Sequence, residues 1–214
     1  MTGPRLGKEA ILRAALELFA HRGVDAVTLR EIHEASGHRN RSAIAYHFGD
    51  RDELVRALIE QIVLHHDTRR VEMFDALDAR GRPATLDEVL AAGLGPMIED
   101  LGDREGRLRL RVIANLVSDE HYMGMTQALM WQLPGLGRST AFLAAGLGFL
   151  PEALREERIV LATGFGVRAF ADQARLVDST APNRTPLGTE TFAAHLLVLL
   201  RVLLEAPPPP DTGT

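Results

Sequence analysis

From Ile11 to Leu204 apolar residues recur at spacings of three and four and seldom alternate, so this chain buries helical faces rather than building a sheet. The first helix, about Lys8–His21, gathers Ile11, Leu12, Ala15, Leu18 and Phe19 on one face, and Gly23 follows where a left-handed cap residue belongs. Thr28-x-x-Glu31 is a capping box that opens a second helix, with Leu29, Ile32 and Ala35 inward and Gly37 closing it. A short third helix, about Arg41–His47, has Asn40 as its N-cap and Ile44 and Phe48 as its inward stripe. Asp50-x-x-Glu53 starts a long fourth helix reaching about Leu77, which Arg80-Gly81-Arg82-Pro83 stops. Further helices are expected at about 85–101, 104–118, 120–132, 138–148, 151–178 and 189–205. Gly/Pro clusters at Gly93–Pro96, Pro134–Gly137 and Ala181–Gly188 are expected to break them up. The fold class is therefore all-α: an N-terminal three-helix domain over residues 1–50, a larger helical domain over 51–206, and an extended, disordered Pro-rich tail over 207–214.

With 214 residues, 46% of them hydrophobic, the chain can bury a real core. No apolar run is long enough to span a membrane, since His195 and Arg201 interrupt the best candidate, Ala193–Leu204. The absence of cysteine excludes disulfides, thiolate metal sites and a cysteine nucleophile. No secretion signal is legible, so a cytoplasmic protein is expected. The net charge of −5 is unevenly spread: residues 1–56 balance at +1 and the remainder at −6. That asymmetry permits nucleic-acid binding by the first segment without arguing for it.

Three short helices hinged at Gly23 and Gly37 place one slim helix on a surface. With Ile44 and Phe48 inward, a step of about 100° per residue turns Ser42, Ala43, Ala45 and Tyr46 outward. Arg30, near the start of the second helix, and Arg39, Asn40 and Arg41, at the start of the third, then face the same way. Arginine and asparagine carry the forked donors and acceptors that pair with guanine and adenine edges. The N-terminal ends of these helices, and of the next at Asp50–Arg51, offer backbone N–H groups to phosphates.

Phe19-x-x-x-Gly23, Thr28-Leu29-Arg30-Glu31-Ile32, Glu34-Ala35-x-Gly37 and Tyr46-His47-Phe48-x-x-Arg51-x-x-Leu54 together resemble the N-terminal domain of TetR-family transcriptional regulators, over about residues 8–56. The resemblance implies an all-helical homodimer whose divergent C-terminal domain binds a small molecule. The stretch Gly37–Ala43 carries one residue more than the commonest family spacing, as in a subgroup with a longer turn. Ala45 stands where a phosphate-contacting tyrosine is usual, with Tyr46 beside it to take that role. Arg51 stands where a phosphate-contacting lysine is usual, and Arg30 matches a helix-two position that touches bases or phosphates in some members. The residues assigned to DNA are Thr28, Arg30, Arg39, Asn40, Arg41, Ser42, Ala43, Tyr46 and Arg51.

Other patterns carry less. His33-Glu34-x-x-x-His38 is one residue too long for two imidazoles to share a helix face, and Gly37 interrupts it, so no zinc site is expected. Gly164-x-Gly166-x-x-Ala169 imitates a dinucleotide fingerprint but no strand precedes it, and its glycines suit a close approach of two helices. In His65-His66-Asp67, His66 continues the apolar stripe of the long helix four residues after Ile62, as a satisfied core histidine or as a ligand contact. The stretch from Asn115 to Trp131 mixes methionines with His121 and Tyr122, which suits a pocket for a greasy, partly polar molecule and an ordinary core equally. The effector-site candidates are His66, Met73, Asn115, His121, Tyr122 and Trp131. No cofactor and no metal are expected, and no nucleophile–base motif or phosphate loop suggests an enzyme.

The resulting expectation is a regulator of transcription, a repressor released by a small-molecule effector, that reads an inverted-repeat operator in double-stranded DNA. The homodimer is expected to form on the helices at about Pro151–Asp178 and Thr189–Leu204, through Leu154, Ile159, Leu161, Phe165, Phe170, Leu196, Leu200 and Leu204. The alternative is a small-molecule-binding helical protein of the same fold without effective DNA binding.

Overall fold

The structure, a computed structural model, describes residues 4–38 and 43–208, with side chains from residue 7 onward. Every regular element among these residues is helical: α1 Pro4–Arg22, α2 Leu29–Ala35, α3 Ala43–Phe48, α4 Arg51–Asp78, α5 Leu86–Asp100, α6 Arg104–Leu116, α7 Met123–Met130, α8 Pro134–Gly146, α9 Glu152–Asp178 and α10 Thr189–Glu205. No helix is long and apolar enough to cross a membrane.

Local chemistry sets the ends of the first helices. Gly23 and Gly37 adopt φ of 83° and 71°, the left-handed region where a Cβ is disfavoured. The Thr28 hydroxyl accepts from the Glu31 N–H at 3.3 Å while the Thr28 N–H donates to Glu31 Oε2 at 2.8 Å, completing the capping box. Asp50 caps α4 by accepting from the Glu53 N–H at 2.9 Å.

α1–α3 close over a core of Ile11, Ala15, Phe19, Ile32, Ile44 and Phe48 that continues without a break into Leu54, Leu58 and Ile62 of α4 and Leu108, Val112 and Leu116 of α6. A second core joins α5, α6, α9 and α10 through Leu101, Leu110, Phe170, Leu196, Leu200 and Leu204. Phe74 and Leu77 pack on Val89 and Ala92 at the far end of α4. α4 is thus a strut about 42 Å long at 1.5 Å per residue, joining the head to the opposite end of the body.

Two expected breaks are not breaks. Gly93–Pro96 lies inside α5, with Gly93, Gly95, Pro96 and Met97 all buried. Its glycines serve close packing: a Cβ on Gly93 would stand 2.5 Å from Ser139 Oγ, and one on Gly95 2.2 Å from Met73 Sδ. Pro134 opens α8 rather than interrupting it, because a proline in the first turn gives up an N–H that has no helical partner anyway. Gly164 and Gly166 lie within α9, and Gly166 faces Leu200 of α10.

The surfaces of α9 and α10 also differ from expectation. Phe170, Leu196, Leu200 and Leu204 are buried within the subunit, and Ile159 is half-buried, because these positions face α5, α6 and each other. Leu154, Leu161 and Phe165 remain exposed, together with Val160, Val198, Leu199 and Val202.

Candidate nucleic-acid interface

The outer face of the head is built on α3, a helix of six residues pinned from behind by buried Ala43, Ile44 and Phe48. Ala45 and Tyr46 are exposed, and Tyr46 stands out at 77% exposure beside the half-buried His47 ring, 5.0 Å away edge to face. A shallow cleft of about 540 Å³ runs between α2 and α3, lined by Arg30, His33, Glu34, Ala45 and Gly49. Arg30 reaches from its rim and pairs with Glu34 at 2.8 Å in the open, an arrangement of little strength that a phosphate can displace. Arg39, Asn40, Arg41 and Ser42 lie outside the described residues.

Three assigned contacts are placed differently from the sequence reading. Ala43 faces inward at 6% exposure, so the helix is rotated from the expected orientation and its outer face is narrower. Arg51 turns back into the head: its Nη1 donates to the Val27 carbonyl at 2.6 Å and its Nη2 to the Val24 carbonyl, with the guanidinium 5.8 Å from the Phe19 ring centre. Arg51 therefore ties the turn between α1 and α2 to the start of α4. Thr28 is exposed, but its hydroxyl is committed to the capping box, where it also donates to Glu31 at 2.8 Å. The Thr28 N–H, the Arg22 guanidinium and the Thr28 hydroxyl hold the Glu31 carboxyl down to about 2.

Ionic and polar contacts join the head to the body. Arg104 of α6 grips Glu17 of α1, with Nη1 at 2.8 Å from Oε2. Arg111 Nη2 lies 3.3 Å from His21 Nδ1. Within the body, at the end of α4 nearest the head, the Tyr122 hydroxyl donates to Asp52 at 3.2 Å, and His121 Nε2 lies 3.4 Å from the same oxygen.

Within the body a cavity of about 100 Å³ lies among α4, α5, α6, α7, α8, α9 and α10. Its wall is mainly apolar, with His66, Arg70, Ser139, Thr140 and Thr163 as the polar members. Of the six residues assigned to an effector, His66 alone is on this wall. Its Nε2 sits 2.7 Å from Asp100 Oδ2, so it is at once a satisfied core histidine and a lining group. Burial pushes the His66 pKa down against the pull of Asp100. Burial opposes ionisation of Asp100 as well, yet the hydrogen bonds from His66 and Arg109 hold its carboxyl at about 2.

The other five candidates lie elsewhere. Met73 packs on Gly95 toward the far end of α4. Asn115 accepts from Arg175 at 3.2 Å. Tyr122 is 2% exposed in the core that continues from the head, and His121 is exposed beside Asp52. Trp131 stands 82% exposed at the end of α7. The spacing of amphipathic residues from Asn115 to Trp131 gave no indication of which helix faces close around a void. Arg70 was missed, although it repeats the His66 position four residues on and so extends a legible buried stripe.

A family model described as bacterial regulatory proteins, tetR family, matches residues 11–58. An HTH-type transcriptional repressor of Mycobacterium tuberculosis is 36% identical over 87 residues, covering 38% of this chain and 46% of that protein. The HTH-type transcriptional repressor AcnR of Corynebacterium glutamicum is 38% identical over 58 residues, 27% of this chain and 30% of AcnR. The chain thus matches less than half the length of these relatives. Two solved structures share the fold over nearly the whole chain: a TetR-family transcriptional regulator from a Rhodococcus species, with a TM-score of 0.60 and 18% identity, covering 93% of this chain and 99% of that one, and Salmonella enterica GusR, with a TM-score of 0.54 and 19% identity, covering 96% and 99%. The head thus matches that family's sequence pattern over residues 11–58, and the ten described helices follow the fold of the two solved structures.

Proposed function

We propose that this protein is a cytoplasmic, homodimeric regulator of transcription that binds an inverted-repeat DNA operator and is released from it by a small molecule. The observation that carries the reading is α3: a short helix fixed from behind by Ile44 and Phe48, presenting Tyr46 and a slim face within the segment that matches the family. Tyr46 and Arg30 are assigned to the DNA backbone and groove edge. Arg39, Asn40, Arg41 and Ser42 complete the reading face on the strength of their residue types. Thr28 contributes through the helix end it caps.

The exposed apolar faces of α9 and α10, with Leu161, Phe165, Val198 and Val202, support pairing of two subunits, since such a strip is costly in water. Pairing would set the separation of the two recognition helices. α4 supports a route for release: it bears Arg51 against the head at one end and Val63, His66 and Arg70 on the cavity wall further along. A ligand that prefers one placement of α4 lowers DNA affinity only by its preference for that placement.

Sequencing of DNA fragments selected by the purified protein tests the reading. Enrichment of an inverted repeat is expected, and Arg41→Ala and Tyr46→Ala should each weaken binding to it. Failure to enrich any sequence, with and without candidate ligands, would favour a ligand-binding protein without DNA function. A Leu161→Glu variant is expected to sediment as a monomer, and an unchanged dimer would overturn the assigned interface.

A further inference from the structure

Resting on the effector-binding reading above, we propose that the cavity takes a small apolar monocarboxylate, its carboxylate held by Arg70 and Ser139. Arg70 is 7% exposed and is only partly satisfied by the protein. Its Nε donates to the Gly93 carbonyl at 2.9 Å and its Nη1 to Asp67 Oδ1 at 3.1 Å, while Nη2 has no hydrogen-bond partner among the described residues. Asp67 is a divided counter-ion. Its two oxygens accept the backbone N–H groups of Gly135 at 3.0 Å and Leu136 at 2.8 Å, in the first turn of α8, so the helix terminus draws on the same charge.

Ser139 is the second donor. It is 8% exposed, lines the cavity, and has no hydrogen-bond partner among the described residues. Its hydroxyl lies against Gly93, the residue whose carbonyl holds Arg70, so the guanidinium and the hydroxyl converge on one stretch of wall. A side chain at position 93 would fill that meeting point, because its Cβ would stand 2.5 Å from Ser139 Oγ.

The remaining wall, with Val63, Leu90, Met97, Leu143, Ala162 and Leu200, accepts hydrocarbon. Cationic ligands find no free counter-charge there: Asp67 is bound to α8 and Arg70, and Asp100 to His66 and to Arg109 at 2.6 Å. A buried guanidinium with one amino group free suits a carboxylate, whose two oxygens can use both Nη2 and the neighbouring hydroxyl. A volume of about 100 Å³ limits the body to a short chain, since benzene is accommodated by a larger cavity of roughly 150 Å³.

The test is calorimetric titration of the full-length protein with propionate and butyrate, alongside 1-propanol and 1-butanol. At least one acid is expected to bind, with its alcohol weaker by about tenfold or more. Arg70→Met should cost the acid roughly 100-fold and leave the alcohol unchanged. Ser139→Ala, which removes a hydroxyl with no protein partner and so spares the fold, should cost the acid about tenfold; this variant decides the matter if Arg70→Met does not fold. Alcohols that bind as tightly as the acids, or acid binding unaffected by Ser139→Ala, would overturn the carboxylate assignment while leaving an effector site in place. Binding of neither class would overturn both.

Discussion

The head and the body of this molecule are stabilised on different length scales. In the head, the groups that end a helix lie within a few residues of it: Thr28 with Glu31, Asp50 with Glu53, and the left-handed glycines at 23 and 37. Its buried residues are apolar, and its ion pairs lie at the surface. The body is built the other way. α8 has no capping side chain of its own at Leu133, and its first N–H groups are taken by Asp67, a residue of α4. Asp100 gathers His66 from α4 and Arg109 from α6 around one buried carboxylate. A head made of local signals can be shared among many relatives, whereas a body made of long-range buried pairs is particular to its own sequence. The matches fit that division, since the family pattern covers residues 11–58 while the whole fold persists at 18% identity.

The sharpest way to break the comparison is to remove a buried partner from the body. Asp67→Ala strips the cap from α8 and leaves Arg70 buried without its counter-ion, and such losses cost about 3–5 kcal/mol. Urea denaturation of the variant should show a large fall in midpoint. A loss no greater than that of a head capping variant would mean that Asp67 is dispensable and that the body is held by apolar contact alone.

This difference in scale also explains what the sequence made legible. The capping boxes, the glycine ends and the 3.6-residue stripes placed the helices to within a few residues, because each signal is complete within one turn or one face. Pro134 and Gly93–Pro96 misled for the opposite reason: whether a glycine or proline ends a helix depends on what packs against it, here Ser139 on Gly93 and Met73 on Gly95. The same limit applied to sites. Tyr46 and Arg30 were legible as exposed positions on amphipathic helices. Arg51, Tyr122 and Trp131 were not, since their partners or their exposure depend on distant segments, as with Val24 and Val27 for Arg51 and Asp52 for Tyr122. The cavity wall draws on seven helices, α4 to α10, and only His66 among the expected residues reached it.

A second prediction concerns acid. In the folded protein the Asp100 carboxyl is held at about 2, below the usual 3.8. A depressed carboxylate stabilises the fold at pH values above the unfolded value, and that contribution is lost as the pH falls toward the folded one, here up to about 2 kcal/mol. Asp100→Asn should therefore lower stability at neutral pH and flatten the fall in urea midpoint between about pH 4 and pH 2. A variant that keeps the wild-type acid slope would assign that slope to other carboxylates.

The head should respond more mildly. Thr28→Ala removes the hydroxyl that accepts the Glu31 N–H, a change worth about 1 kcal/mol at an N-cap. The loss should register as a small shift in urea midpoint. A loss as large as that of Asp67→Ala would mean that the head depends on its caps as strongly as the body depends on its buried pairs.

The smallest stability effect should coincide with a large functional one. Tyr46 is 77% exposed, and its ring touches only its neighbour His47 among the aromatic contacts, so Tyr46→Ala should move stability by less than about 0.5 kcal/mol. If α3 carries the DNA contact, the same change should weaken binding to a selected operator by roughly tenfold, the worth of about one lost hydrogen bond or stacking contact. Arg51→Ala provides the contrast within the same head. Its guanidinium holds the Val24 and Val27 carbonyls, so it should lower the melting temperature as well as the affinity. Equal losses of affinity in the two variants, with only Arg51→Ala melting earlier, would separate the reading surface from the frame that holds it. If Tyr46→Ala binds DNA as the wild type does, the contact falls to Arg30 and to residues 39–42 rather than to the outer face of α3.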